Sequence, residues 1–198
     1  MDLAFQIIIL IMSVVIHEVS HGYAARALGD STAEYEGRLT LNPLKHLDPV
    51  GSFLVPLISY QFGFIIGWAK PVPYNPYNLR SGRWSEAIVA GAGPLSNICI
   101  ALIFGIILRA VPLGEAALTI VATIVLINIV LAVFNLVPIP PLDGSKLLFA
   151  LFTDKMSQMR NFFERHGFVL IILFIFFGWQ FIAPISTLIF STITGLTF

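Results

Sequence analysis

Residues 3–23 read LAFQIIILIMSVVIHEVSHGY. The run is apolar for most of its length, and about 20 such residues carry a helix across a hydrocarbon core of ~30 Å. It has neither the basic start nor the A-x-A cleavage site of a secretory signal, so it predicts a retained membrane helix. Its end is unusual: His17, Glu18 and His21 stand where an apolar span should stop.

Working outward, residues 26–49 are polar and punctuated by Gly, Pro and Asn, which marks a connector. Residues 51–68 are apolar again but interrupted by Pro56, Gly63 and Gly67, and the irregular run AKPVPYNPYNLRSGR (69–83) closes them. Such a segment predicts a re-entrant or broken path. Long apolar stretches follow at 86–111 and 116–137, separated by the PLGEA turn, and they predict an antiparallel helical pair. The Pro-rich turn PIPP leads to a short helical piece, LDGSKLLFALF (142–152), then to a polar segment at 153–166. Residues 167–198 suit one more crossing, with Pro184 as the expected bend.

The fold class is therefore an all-α polytopic membrane protein: a three-helix core, a flanking transmembrane helix and a re-entrant or broken membrane segment, in a single domain over residues 1–198. Composition agrees. Hydrophobic residues make up 57% of the 198 and charged residues only 11%, against about 25% charged in soluble domains. The formal net charge is zero, which gives no support to nucleic-acid binding. The single cysteine, Cys99, sits in an apolar run and reads as a small buried hydrophobe.

His17 and His21 are spaced i, i+4, so on a helix both imidazoles reach one metal from one face, with the Glu18 carboxylate beside them to take a proton from water. This is the arrangement used by zinc proteases. Solvated groups just past the membrane boundary are the plainer alternative, but three ionisable side chains at the end of a membrane helix are costly in lipid and mark a site. A tetrahedral catalytic zinc takes three protein ligands, and Asp143 is the remaining candidate. Asp143 also suits the N-cap of the short helix that follows it. Topology favours the metal: with the first helix running inward, HEVSH, the start of the 86–111 helix and Asp143 meet at one depth.

The segments HEVSHGYAARALGD (17–30), GAGPLSN (91–97) and FNLVPIPPLDG (134–144) resemble the zinc helix, the middle core helix and the third-ligand motif of the site-two protease family of intramembrane metallopeptidases. GRLTLNPLKHLDPVGS and GWAKPVPYNPYNLR are similar to its bacterial and archaeal branch without a PDZ domain. The resemblance implies one Zn2+ per chain on His17, His21 and Asp143, Glu18 as general base, and a three-helix catalytic core. It implies cleavage of membrane-protein substrates within a transmembrane helix, as in regulated intramembrane proteolysis. It also implies that Asn135 binds substrate backbone or the oxyanion, although Asn135 could instead satisfy backbone freed by Pro138. Gly91, Gly93 and Pro94 are expected to permit close helix approach, and Ser96 and Asn97 to bond across helices.

The rival reading is a non-proteolytic metal-binding membrane protein or transporter. Transporters commonly show internal repeats, and none is evident here. His46 and Asp48 read as connector residues rather than a second metal site, His166 as interfacial, and Trp68, Trp84, Trp179, Tyr74 and Tyr77 as an aromatic belt. The distribution of Lys and Arg predicts a multi-pass protein of the cell membrane, with its amino terminus outside, residues 51–68 dipping without crossing, and the site toward the cytoplasmic leaflet. Substrate identity and oligomeric state are not encoded in these patterns.

Overall fold

The computed structural model describes residues 3–61, 69–80, 82, 84–152 and 156–196, apart from the Trp179 side chain. The expectations for Gly63, Gly67, Trp68, Arg83, Lys155 and the Trp179 side chain lie outside the described residues. Among the described residues the regular elements are all helical. In chain order they are α1 (Leu3–Ala27), α2 (Thr32–Tyr35), a π-helical turn (Val50–Leu54) that runs into α3 (Val55–Tyr60), α4 (Ser85–Ala110), α5 (Glu115–Asn135), α6 (Asp143–Leu151), α7 (Ser157–Phe177) and α8 (Trp179–Thr194). Helices α1, α4 and α5 are each long and apolar enough to span a membrane, and α7 and α8 form a bent apolar pair that makes a fourth span if the two are taken as one. The chain is a multi-pass membrane protein.

Helix α4 is the hub, packing against α1, α5, α6 and α8. Lipid gives little hydrophobic drive for helices to associate, so close approach and interhelical hydrogen bonds must do it. Small residues line the contacts. Ala101 is fully buried with Val125, Ile129 and Phe190, and Gly105 sits where a β-carbon would strike Ile193. At the far end of α4, the Arg109 Nη2 donates to the carbonyl of Thr192 at 2.8 Å, which ties the last turn of α8 to the last turn of α4.

The segment after the connector turns its small and polar residues, Gly51, Ser52, Pro56 and Ser59, toward the protein, and Phe53, Leu54, Leu57 and Ile58 outward. That polarity is inside-out for water and suits lipid. Residues 50–60 make a helical stretch of about 16 Å at 1.5 Å per residue, half of what a crossing needs. Its two flanks also meet, because Lys70 N–H donates to the His46 carbonyl at 2.7 Å. A chain whose residues 46 and 70 are hydrogen-bonded has gone out and come back.

The remaining strap, residues 69–80, lies across the end of α1. Arg38 Nη2 donates to the carbonyls of Lys70 and Pro71 at 2.9 and 3.3 Å, Asn75 N–H and Asn78 Nδ2 donate to Asp30 at 2.7 and 2.9 Å, and Arg80 N–H donates to the Leu28 carbonyl at 2.7 Å. Burial alone would raise the Asp30 carboxyl, but the bonds from Thr32, Asn78 and Asn75 outweigh it and hold Asp30 below its ordinary value.

Two expectations are corrected at the carboxyl end. Residues 157–166, expected as a polar segment ahead of the last apolar stretch, are the first turns of helix α7, helped by the i, i+4 pair of Arg160 and Glu164 at 2.7 Å. The bend lies at Gly178, between α7 and α8, not at Pro184; the two helices meet there at 66°. Glycine is the weakest helix former after proline, and a β-carbon at 178 would strike the ring and carbonyl of Phe174. Pro184 lies inside α8, and the helix continues through it to Thr194.

The paired strap predicts that single cysteines replacing the exposed Leu44 and Tyr77, in a Cys99→Ala background, react identically with a membrane-impermeant thiol reagent; labelling of only one from a given side would mean that the chain crosses between them. A carboxyl held low in the fold stabilises above the unfolded value and loses that contribution as pH falls through the folded one. Folded protein in detergent is thus expected to lose stability as pH drops below the ordinary 3.8 of Asp30. Asp30→Asn should cost about 1–2 kcal/mol at neutral pH and flatten that acid limb in thermal unfolding.

Candidate metal centre

On α1 the i, i+4 spacing places the rings of His17 and His21 edge to face, their centroids 4.6 Å apart, with both residues buried. Helix α4 crosses them at Gly93. A β-carbon there would lie 2.4 Å from His21 Nε2 and 2.6 Å from His17 Cε1 and Nε2, so only glycine leaves room for the two rings. The expectation that this glycine permits close helix approach is met in detail.

Each ring is oriented through its other nitrogen. His17 Nδ1 lies 2.6 Å from Asn97 Oδ1, and His21 Nδ1 lies 2.7 Å from the Val89 carbonyl, in the turn before Pro94. Both partners are acceptors, so both Nδ1 atoms are donors, and in the neutral rings the Nε2 lone pairs are left facing inward.

Asp143 arrives from the other side. The chain leaves α5 through 136–142, with a cis bond between Pro140 and Pro141, and enters α6 at Asp143. Gly144 packs so tightly on the end of α5 that a β-carbon would lie 2.2 Å from the Leu136 carbonyl oxygen. Asp143 is the first helical residue, and Leu142 holds the capping position. Its Oδ2 stands 3.1 Å from His17 Nε2 and 3.2 Å from His21 Nε2, and the two Nε2 atoms are 3.0 Å apart.

This triangle tests the fit of a metal. Ligands at about 2.0–2.1 Å from a tetrahedral zinc stand about 3.3 Å from one another, close to the edges found here. Two lone pairs and a carboxylate oxygen converging within 3.2 Å also call for a cation among them. Among the described residues, His17, His21 and Asp143 are the group of His, Cys, Asp or Glu side chains placed to share an ion.

Glu18 is half-buried beside the pair, and its Oε2 accepts the Val72 N–H from the strap at 2.9 Å. Pro71 and Pro73 have no N–H, so Val72 offers the one donor in that stretch. Asn135, on the last turn of α5, is not joined to the triangle: its Nδ2 donates to the Leu131 carbonyl at 2.9 Å. Nor does it serve the backbone freed by Pro138, because the Phe134 carbonyl is taken by Val137 N–H at 3.2 Å.

His46 is fully buried, with Nε2 bonded to the Thr40 carbonyl at 2.8 Å, and Asp48 Oδ1 accepts from Val50 and Gly51 N–H; both serve the connector's own backbone. His166 is exposed on α7 and Trp84 is half exposed. Sequence reasoning missed Asn128, Ser13 and the Val72 contact. The first two were visible in principle as polar residues within membrane spans.

In comparison with known proteins, a family model described as peptidase family M50 matches residues 109–176, which include Asp143 and Asn135. YwhC of Bacillus subtilis is 35% identical over 86% of this chain and 80% of its own length. Rip2 of Mycolicibacterium smegmatis is 29% identical over 82% of the chain but 63% of its own length. Both carry zinc-metalloprotease names, as does MJ0392 of Methanocaldococcus jannaschii, of which the chain spans 36% at 25% identity. No solved structure matches the chain.

Because the Gly93 backbone is what allows both rings into place, Gly93→Ala is expected to lower metal affinity at least ~10-fold while the helices still form; metal analysis of purified protein together with circular dichroism checks this.

Proposed function

Since the chain belongs to peptidase family M50, the site-two protease family of zinc metalloproteases, we propose that it is a zinc-dependent intramembrane endopeptidase that cleaves transmembrane segments of membrane proteins. The observation that carries the reading is the triangle of His17 Nε2, His21 Nε2 and Asp143 Oδ2, with edges of 3.0–3.2 Å, against the membrane helix α1. A transporter or a silent metal protein would not need a carboxylate in the position of Glu18.

In this proposal His17, His21 and Asp143 hold one zinc ion. Zinc, when bound, supplies Lewis acidity that polarises a peptide carbonyl and makes water nucleophilic near neutral pH. Glu18 takes a proton from the attacking water and returns it to the leaving amine. Val72 N–H occupies Oε2 of Glu18 and orients the carboxylate, leaving its other oxygen for the proton. Asn135 would turn its amide from Leu131 to the substrate backbone or the developing oxyanion. A helical substrate hides its carbonyls in its own hydrogen bonds, so the cleaved segment must unwind locally, and segments with Gly or Pro should do so most readily.

The cell membrane is the proposed location, with the site toward the cytoplasmic leaflet. Among the described residues, Arg109 is the one Lys or Arg at the opposite end of the spans, beside the PLGEA turn. The others fall in or beside the connector, the strap, α6 and α7, on the side that the positive-inside rule assigns to the cytoplasm.

Glu18→Gln should abolish cleavage of single-span membrane peptides, a loss of more than ~100-fold, and leave zinc near stoichiometric, because the base is not a ligand. Asp143→Ala should lower zinc affinity by at least ~10-fold, because only two imidazoles remain. Zinc lost with Glu18→Gln would move that residue into the coordination shell, and cleavage retained would remove it from the mechanism.

A further inference from the structure

A chain of buried side-chain amides leads away from His17 into the bundle. His17 Nδ1–H donates to Asn97 Oδ1 at 2.6 Å, Asn97 Nδ2 donates to Asn128 Oδ1 at 2.8 Å, and Asn128 Nδ2 donates to Ser13 Oγ at 2.9 Å. Two backbone carbonyls anchor it: Asn97 Nδ2 reaches the Ser13 carbonyl at 3.4 Å, and Asn128 Nδ2 reaches the Ile124 carbonyl at 2.9 Å. Asn97 and Asn128 are 0% exposed and Ser13 is 4% exposed, so water does not compete for these bonds.

Every bond in the chain points the same way, with donors facing away from His17, and this direction has a consequence for the metal. An asparagine amide is nearly symmetric in shape and can be turned over, exchanging its oxygen and nitrogen. A turned Asn97 would offer an N–H to His17 Nδ1. The ring would then have to accept there and carry its proton on Nε2, the atom that faces Asp143. What forbids the turn is chiefly Asn128, whose Oδ1, now at 2.8 Å from the Asn97 nitrogen, would then meet the Asn97 oxygen in a medium without water, with the Ser13 carbonyl at 3.4 Å a second and more distant acceptor against it. Asn128 is itself fixed, since turning it would set its oxygen against the Ile124 carbonyl, which can only accept. The orientation is thus set by the Ile124 carbonyl on α5, with the longer contact to the Ser13 carbonyl beside it, and passed through two amides to a histidine on α1.

We propose that Asn128 and Asn97 are positioning residues which fix the His17 tautomer, keeping its Nε2 lone pair free for the metal. The inference rests on the zinc reading given above and adds to it a device outside the ligand set. Outer partners of ligating histidines typically alter metal affinity by 10–100-fold when removed. Asn128→Leu removes the acceptor that holds Asn97, and zinc affinity should fall by about that factor. Asn97→Asp supplies His17 with an acceptor that cannot be turned into a donor while ionised; its second oxygen then faces Asn128 Oδ1, so zinc should be retained at a loss of thermal stability that Asn128→Leu relieves, which makes Asn128 dispensable for the metal.

The experiment measures zinc affinity by chelator competition on purified protein in detergent, with thermal unfolding recorded in parallel, for wild type, Asn97→Leu, Asn97→Asp, Asn128→Leu and Asn97→Asp with Asn128→Leu. The expected result is weakened zinc in Asn97→Leu and Asn128→Leu and near wild-type affinity in Asn97→Asp and in the double variant. A purely structural role for Asn128 would lower thermal stability without weakening zinc, or weaken zinc without rescue by Asn97→Asp, and either result overturns the proposal. If Asn128→Leu does not fold, Asn97→Leu against Asn97→Asp still decides, because equal affinities would sink it. Failure of the wild type to bind zinc would instead overturn the metal reading on which the inference stands, so the two failures are distinguishable.

Discussion

Two imidazole lone pairs and a carboxylate oxygen, held within 3.2 Å of one another inside a membrane protein, repel unless a positive charge lies among them. Much of the architecture brings those three atoms together. Helix α1 supplies both histidines on one face, and α4 can lie against that face only because residue 93 is glycine. The third atom belongs to an element more than 120 residues away in sequence, delivered by a Pro-rich turn whose geometry depends on Gly144 fitting against the end of α5. Each glycine is thus part of the site through what it omits.

The local half of this was legible in the sequence. HEVSH announces itself because i, i+4 histidines with an intervening glutamate are out of place in an apolar helix, and Asp143 followed from the ligand count and the shared depth of three motifs. The long helices were legible for the same reason, since lipid demands continuous apolar runs. What could not be read was the pairing of single polar residues across helices. Asn128 is one asparagine in a run of aliphatic residues, and nothing local says that it meets Asn97, 31 positions earlier, or Ser13, 115 positions earlier. The break at Gly178 was missed because proline is the louder signal, yet α8 runs on through Pro184, while a glycine among bulky residues weakens the helix.

The strap shows the same limit from another direction. KPVPYN reads as irregular, and it is, but its irregularity is specific. With prolines at 71 and 73, Val72 N–H is the donor available to Glu18 in that stretch, and the flanking residues are fastened by Arg38 and Asp30 on either side. A connector that would be dismissed as a loop by composition is held to the end of α1 at several points. The bond joining residues 46 and 70 also brings together the two flanks of the apolar segment between them.

In water, a core of this size would be held by burial of apolar surface, and a polar network would be a local cost to be compensated. In lipid the accounting differs, because apolar side chains gain little by leaving one hydrocarbon environment for another. Here the outward faces are Phe, Leu and Ile, while Ser13, Asn97, Asn128, His17 and His21 are buried between α1, α4 and α5. The bonds that hold α1 to α4, and α4 to α5, are therefore largely the bonds that orient the histidines. Fold and site are not separable layers in this region. A polar group there needs its partner because lipid offers none, and the partners available are those that aim the Nε2 atoms of His17 and His21.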